Sequence, residues 1–89
     1  MKVDELAPGL WRWSADLGGE EIWCVYCETP DAIVLIDPVV PDEAERFWRA
    51  LDRDVERLGV RLTIVCTSDE RAAAAAELAT RYGATLLRG

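Results

Sequence analysis

The stretch AIVLIDPVVPDEAERFWRALDRDVERLGVRLTIVC, residues 32 to 66, changes its apolar period twice, and those changes decide the fold. Ala32 to Ile36 is a short β-branched run closed by Asp37 and Pro38. That is the composition of a strand buried on two sides. Between Asp42 and Leu58 the period becomes helical, because Ala44, Phe47, Trp48, Leu51, Val55 and Leu58 recur at spacings of three and four. The pattern predicts a helix capped by Asp42, with Glu45 in capping-box position and Gly59 as its stop. Asp42 with Arg46 and Glu45 with Arg49 stand four apart on its solvated face. Leu62 to Cys66 returns to a strand.

Working outward, Glu70 to Tyr82 reads as a second helix containing the five alanines 72 to 76 and ended by Gly83, followed by a short strand from Thr85 to Leu87. Upstream, Val3 to Leu6 and Leu10 to Trp13 are short strands broken by Ala7-Pro8-Gly9, and a loop surrounds Asp16 to Gly19. Glu21 to Glu28 pairs with Ala32 to Ile36 across Thr29-Pro30-Asp31. The fold class is therefore α/β: a mixed sheet with N-terminal antiparallel strands and a βαβαβ unit. Consecutive right-handed crossovers running the same way place both helices on one face of the sheet. Yet AIVLI and LTIVC are apolar at odd and even positions alike, so something outside the helices, most simply a second copy in a homodimer, is expected on the other face.

A chain of 89 residues is a single domain, residues 1 to 89, with a thin core. Hydrophobic residues at 51% and charged residues at 30% describe an ordinary folded chain. Its 17 acidic and 10 basic residues leave a net charge of -7, which repels phosphate backbones and anionic lipid and argues against nucleic acid and membrane surfaces as partners. MKVDELAPG lacks the apolar core of a signal peptide, and three cysteines do not close a disulfide framework, so the expected location is cytoplasmic.

Three groups of residues carry candidate chemistry. Cys24 and Cys27 have the C-x-x-C spacing of redox and zinc sites, but in a strand their side chains point to opposite faces. Zinc would find no histidine and only Cys66 as a further soft ligand. Asp37, Thr67, Ser68 and Asp69 stand at the carboxyl ends of two parallel strands, where open α/β sheets build binding sites. Asp37, Asp69 and Glu70 are a carboxylate set for a hard metal. Against this, Thr67-Ser68-Asp69-Glu70 reads equally as a helix cap, and Asp37 as a carboxylate satisfied by backbone donors of the loop that follows it. Trp11, Trp13, Trp23 and Trp48 suggest core or interface packing before a ligand cage. The residues imply no cofactor.

VDELAPGLWRW, IWCVYCE, AIVLIDP, RFWRAL and ELATRYGA, in that order, resemble the first portion of the metallo-β-lactamase superfamily. In that family the strand matching LTIVC ends in T-H-x-H-x-D-H, whose side chains bind the metal ions that activate water for hydrolysis. Thr67 matches the motif threonine, but Ser68 and Glu70 fall on the first two histidines, Ala72 on the aspartate and Ala73 on the third histidine. Alanine binds no metal. Only Asp37 carries over cleanly, onto the aspartate ending the family's third strand.

The resemblance implies one half of an αββα sandwich, with the open sheet face where a second half would pack. The expected protein is a non-catalytic half domain with a structural or binding role, self-associating through that face and lacking resident metal. Two alternatives stay open: a divergent hydrolase using Asp37, Asp69 and Glu70 for a metal, and a thiol redox protein using Cys24 and Cys27.

Overall fold

The computed structural model describes residues 1–89. Four strands come first, β1 (Val3–Ala7), β2 (Leu10–Leu17), β3 (Glu20–Glu28) and β4 (Ala32–Ile36), followed by α1 (Ala44–Leu58), β5 (Arg61–Cys66), α2 (Asp69–Tyr82) and β6 (Thr85–Arg88). They form a six-stranded sheet in chain order, antiparallel from β1 to β4 and parallel from β4 to β6. The expected mixed α/β fold is present.

Strand β2 runs on to Leu17, beyond the Trp13 expected from its apolar residues. The turn to β3 therefore shrinks to Gly18-Gly19, with φ of 61° and 84°. A two-residue hairpin turn whose twist matches the strands needs positive φ at both positions, which glycine adopts without strain. This register sets Trp13 opposite Cys24 and Trp11 opposite Tyr26.

Helix α1 begins at Ala44, one residue later than the capping pattern suggests. Glu43 takes the cap position without a side-chain cap bond, and its carboxylate accepts from the Met1 ammonium at 2.6 Å. Asp42 thus lies outside the helix, and Arg46 pairs with Glu43 at 3.7 Å instead of with Asp42. The Glu43 carboxylate is drawn to the Met1 ammonium by a charge-assisted bond and so does not cap the helix.

One sheet face carries Trp13, Cys24, Tyr26, Ile33, Leu35, Leu62, Ile64 and Cys66, all buried. Against it pack Phe47 and Leu51 of α1, and Ala75 and Leu78 of α2. On the outside the helices are joined by Arg81, which pairs with Asp52 and lies 4.2 Å from the Trp48 ring centre. Trp48 also packs near Phe47 and Tyr82, as its place on the apolar stripe requires.

The opposite face has no helix. Two rows cross it, Leu10, Cys27, Val34, Thr63 and Thr85 in one and Arg12, Val25, Ile36, Val65 and Leu87 in the other. Val25, Ile36 and Val65 are half-buried by their neighbours, and Leu87 is 49% exposed. Alternation in burial therefore coexists with apolar side chains on both faces. No helix is long and apolar enough to cross a membrane.

Leu35 is fully buried on a central strand, so Leu35→Ala removes its packing and leaves a cavity. The expected loss is about 2 to 5 kcal/mol, read as a lower urea midpoint at unchanged slope.

Candidate functional site

Beyond β4 the chain enters an unusual conformation: Asp37 has φ of 49°, the one residue other than glycine with positive φ. It also precedes Pro38, which further restricts its backbone. Several bonds hold it there. Its N–H donates to the Val65 carbonyl at 2.8 Å, adding a rung between the ends of β4 and β5. Its carboxylate accepts from the Thr67 N–H at 2.8 Å and from the Thr67 hydroxyl at 2.7 Å. The Arg71 guanidinium donates to its carbonyl at 3.2 Å.

The expected group of Asp37, Thr67, Ser68 and Asp69 is thus only partly assembled. Asp37 and Thr67 face one another and occupy each other. The donors to Asp37 come from Thr67, 30 residues along the chain, not from the loop that follows it. Ser68 caps α2, its hydroxyl accepting from the Arg71 N–H at 3.1 Å. The Thr67-Glu70 capping box therefore does not form, because Asp37 already holds the Thr67 hydroxyl. Asp69 turns outward to Arg88, with its side chain 93% exposed. Asp37, Asp69 and Glu70 do not converge, and no three His, Cys, Asp or Glu side chains come together as a metal-binding group.

The three cysteines are free. Cys24 faces the helices and is fully buried, whereas Cys27 lies in a row of the open face beside Val34. A strand places residues three apart on opposite sides, so the two sulfurs of C-x-x-C are separated by the sheet itself. Burial pushes the Cys24 thiol up to about 11 and raises that of Cys66 as well. Such thiols remain protonated and weakly nucleophilic near neutrality.

A second concavity lies away from these strand ends. It is a cavity of about 470 Å³ between α1 and the helix-facing side of β1 to β3. Trp11, Trp13, Tyr26, Leu35, Phe47 and Leu51 contribute to its wall. Trp13 is fixed by its indole N–H, which donates to the Val39 carbonyl at 3.0 Å, and its ring centre lies 5.3 Å from that of Phe47. At the mouth, Arg57 bridges Glu28 at 2.9 Å and Asp54 at 3.4 Å. Sequence reading places Trp11 and Trp13 on one strand face but misses Tyr26. The signal for Tyr26 is its register opposite Trp11 once the two-residue turn is fixed. Of the remaining tryptophans, Trp48 joins the helices and Trp23 lies on the open face, where the Arg12 guanidinium sits 4.1 Å from its ring centre. The four do not form one cage.

No family model, curated protein or solved structure matches the chain.

Thr67→Val removes the hydroxyl bond to Asp37 while keeping the side-chain shape. Water reaches this edge, so the expected loss is about 1 kcal/mol, measured by chemical denaturation. The Cys24 thiol supplies a pH test. Its folded pKa of about 11 lies above the ordinary 9.0, so its contribution is complete below pH 9 and lost as pH rises toward 11. Over that interval it amounts to about 2 kcal/mol. Thermal unfolding between pH 8 and 11 is expected to fall more steeply in the parent chain than in Cys24→Ala.

Proposed function

We propose that this chain is a non-catalytic half domain of metallo-β-lactamase-like architecture, which acts as a structural or binding unit by pairing its open sheet face with that of a second copy. The observation that carries this reading is the pair of rows across the open face. Val25, Cys27, Val34, Ile36, Val65 and Leu87 make its centre apolar, and the charged Arg12 with its Asp4 partner stands at the β1–β2 edge. A face that is neutral in the middle suits a twofold contact, in which each residue meets a surface of the same character. Two sheets packed face to face about 10 Å apart would bury both apolar sides of β4 and β5.

The non-catalytic part of the reading is supported by what occupies the strand ends. Ser68 is used as a cap, and the Asp37 carboxylate is engaged by Thr67 at both oxygens. Ala72 and Ala73 bring only methyl groups where the resembled family has an aspartate and a histidine. Under this reading Asp37 ties β4 to β5 and activates no water.

Light scattering on the intact chain is expected to give twice its 9.9 kDa mass at tens of micromolar. Val65→Lys places an ammonium in the contact and is expected to give single chains that stay folded, because its position lies outside the helix-covered core. With -7 on each chain, association is expected to tighten as salt screens the repulsion. Cys27 reports the same contact, since it is half-buried on that face. Its alkylation is expected to slow as protein concentration rises. Single-chain mass at tens of micromolar together with concentration-independent alkylation of Cys27 would overturn the proposal.

A further inference from the structure

Six strands about 4.8 Å apart make a sheet roughly 29 Å wide, whereas two helices at about 10 Å spacing cover only about 20 Å. Helix α2 lies over β5 and β6 and α1 reaches Trp13 of β2 through Phe47, so the cover thins toward the β1–β2 edge. Toward that edge β2 presents Trp11 and Trp13 and β3 presents Tyr26, and α1 closes the other side with Phe47 and Leu51. The resulting cavity of about 470 Å³ has the size of a small-molecule site and the apolar, aromatic wall typical of one.

Tyr26 makes this cavity more than a packing gap. The residue is only 8% exposed, and its hydroxyl makes no hydrogen bond of good geometry, the Asp54 carboxylate beside it being too poorly placed to satisfy it. An unpaired buried hydroxyl is costly and rare in a finished core. Burial together with the nearby Asp54 and Glu28 carboxylates raises its pKa, so the oxygen keeps its proton and remains a donor. The Trp13 indole N–H is already bonded to Val39. Six charged residues also line the cavity, Glu5, Glu28 and Asp54 against Arg12, Arg53 and Arg57, so its rim carries no net charge to favour an anion or a cation, and Arg57 is already paired with Glu28 and Asp54.

We propose that the cavity between α1 and the β1–β3 sheet binds a small, flat, uncharged aromatic molecule whose single hydrogen-bond acceptor, such as a ring carbonyl, receives the Tyr26 hydroxyl. The flat shape follows from the indole, phenol and phenyl walls, on which a ring stacks offset or edge-on. The site lies on the helix-covered face, opposite the surface assigned to self-association, so either proposal can fail without the other.

The test is titration of the intact nitrogen-15-labelled chain with coumarin, which is flat, uncharged and has a ring carbonyl. Naphthalene supplies a similar outline without an acceptor, and 2-naphthoate supplies a charge. Coumarin is expected to move the Trp11 and Trp13 indole N–H signals and leave that of Trp23, on the open face, in place. Tyr26→Phe is expected to weaken coumarin about tenfold, the equivalent of one hydrogen bond, while naphthalene binding stays unchanged. Ala50→Phe, which fills the cavity from α1, is expected to abolish binding of both. Should Ala50→Phe unfold, the Tyr26→Phe comparison decides alone, because that change removes only an unpaired hydroxyl. The proposal is overturned if millimolar coumarin leaves Trp11 and Trp13 unmoved, if 2-naphthoate binds more tightly than coumarin, or if coumarin affinity is indifferent to Tyr26→Phe.

Discussion

Each helix of this protein connects two parallel neighbours, β4 to β5 and then β5 to β6, stepping in the same direction across the sheet. A right-twisted strand feeding a right-handed helix packs back on one side only, so both helices share a face. Two helices over six strands leave one whole face open and cover the other thinly at its β1–β2 edge. The open rows around Val25, Ile36 and Val65 and the cavity beside Trp11 and Tyr26 both follow from that mismatch. Neither requires an unusual residue, only a sheet broader than its cover.

The same geometry explains how the strand ends are used. In a parallel pair, the carboxyl ends of adjacent strands emerge side by side, bringing Asp37 within reach of Thr67. A carboxylate there serves as a ligand or base if its oxygens remain free, and as a clamp if neighbouring donors consume them. Here the Thr67 N–H and hydroxyl donate to one oxygen each, and Asp37 itself sits at positive φ. Arg71 bonds to the Asp37 carbonyl from the first turn of α2, while its own N–H binds the Ser68 cap. Cap, strand end and bend are therefore one network. Of the five alanines beyond it, Ala75 is fully buried against the sheet and Ala72 and Ala74 pack partly on the core, while Ala73 and Ala76 face solvent.

Much of this was legible from residue order. The helical period of Phe47, Leu51 and Val55, the glycine stops and the β-branched runs specify local structure through spacing and backbone preference. Less legible were features where a distant group competes with a local one. Asp42 and Glu45 form a good capping pattern, yet the Met1 ammonium engages Glu43 and α1 starts one residue later. Thr67 and Glu70 form another, yet Asp37 takes the threonine hydroxyl and Ser68 caps instead. The length of β2 also escaped composition, because Ser14, Ala15 and Asp16 are weak strand formers that pair only once the Gly18-Gly19 turn fixes their register.

The sequence by itself determined the α/β class, the element order, the shared side of the two helices and the separation of Cys24 from Cys27, because these follow from periodicity, handedness and the alternation of side chains along a strand. Only the tertiary structure decided that Asp37 is bonded to Thr67 and that Tyr26 stands unpaired beside the tryptophans. Those facts depend on register between segments far apart in the chain, where a shift of one residue sends a side chain to the opposite face.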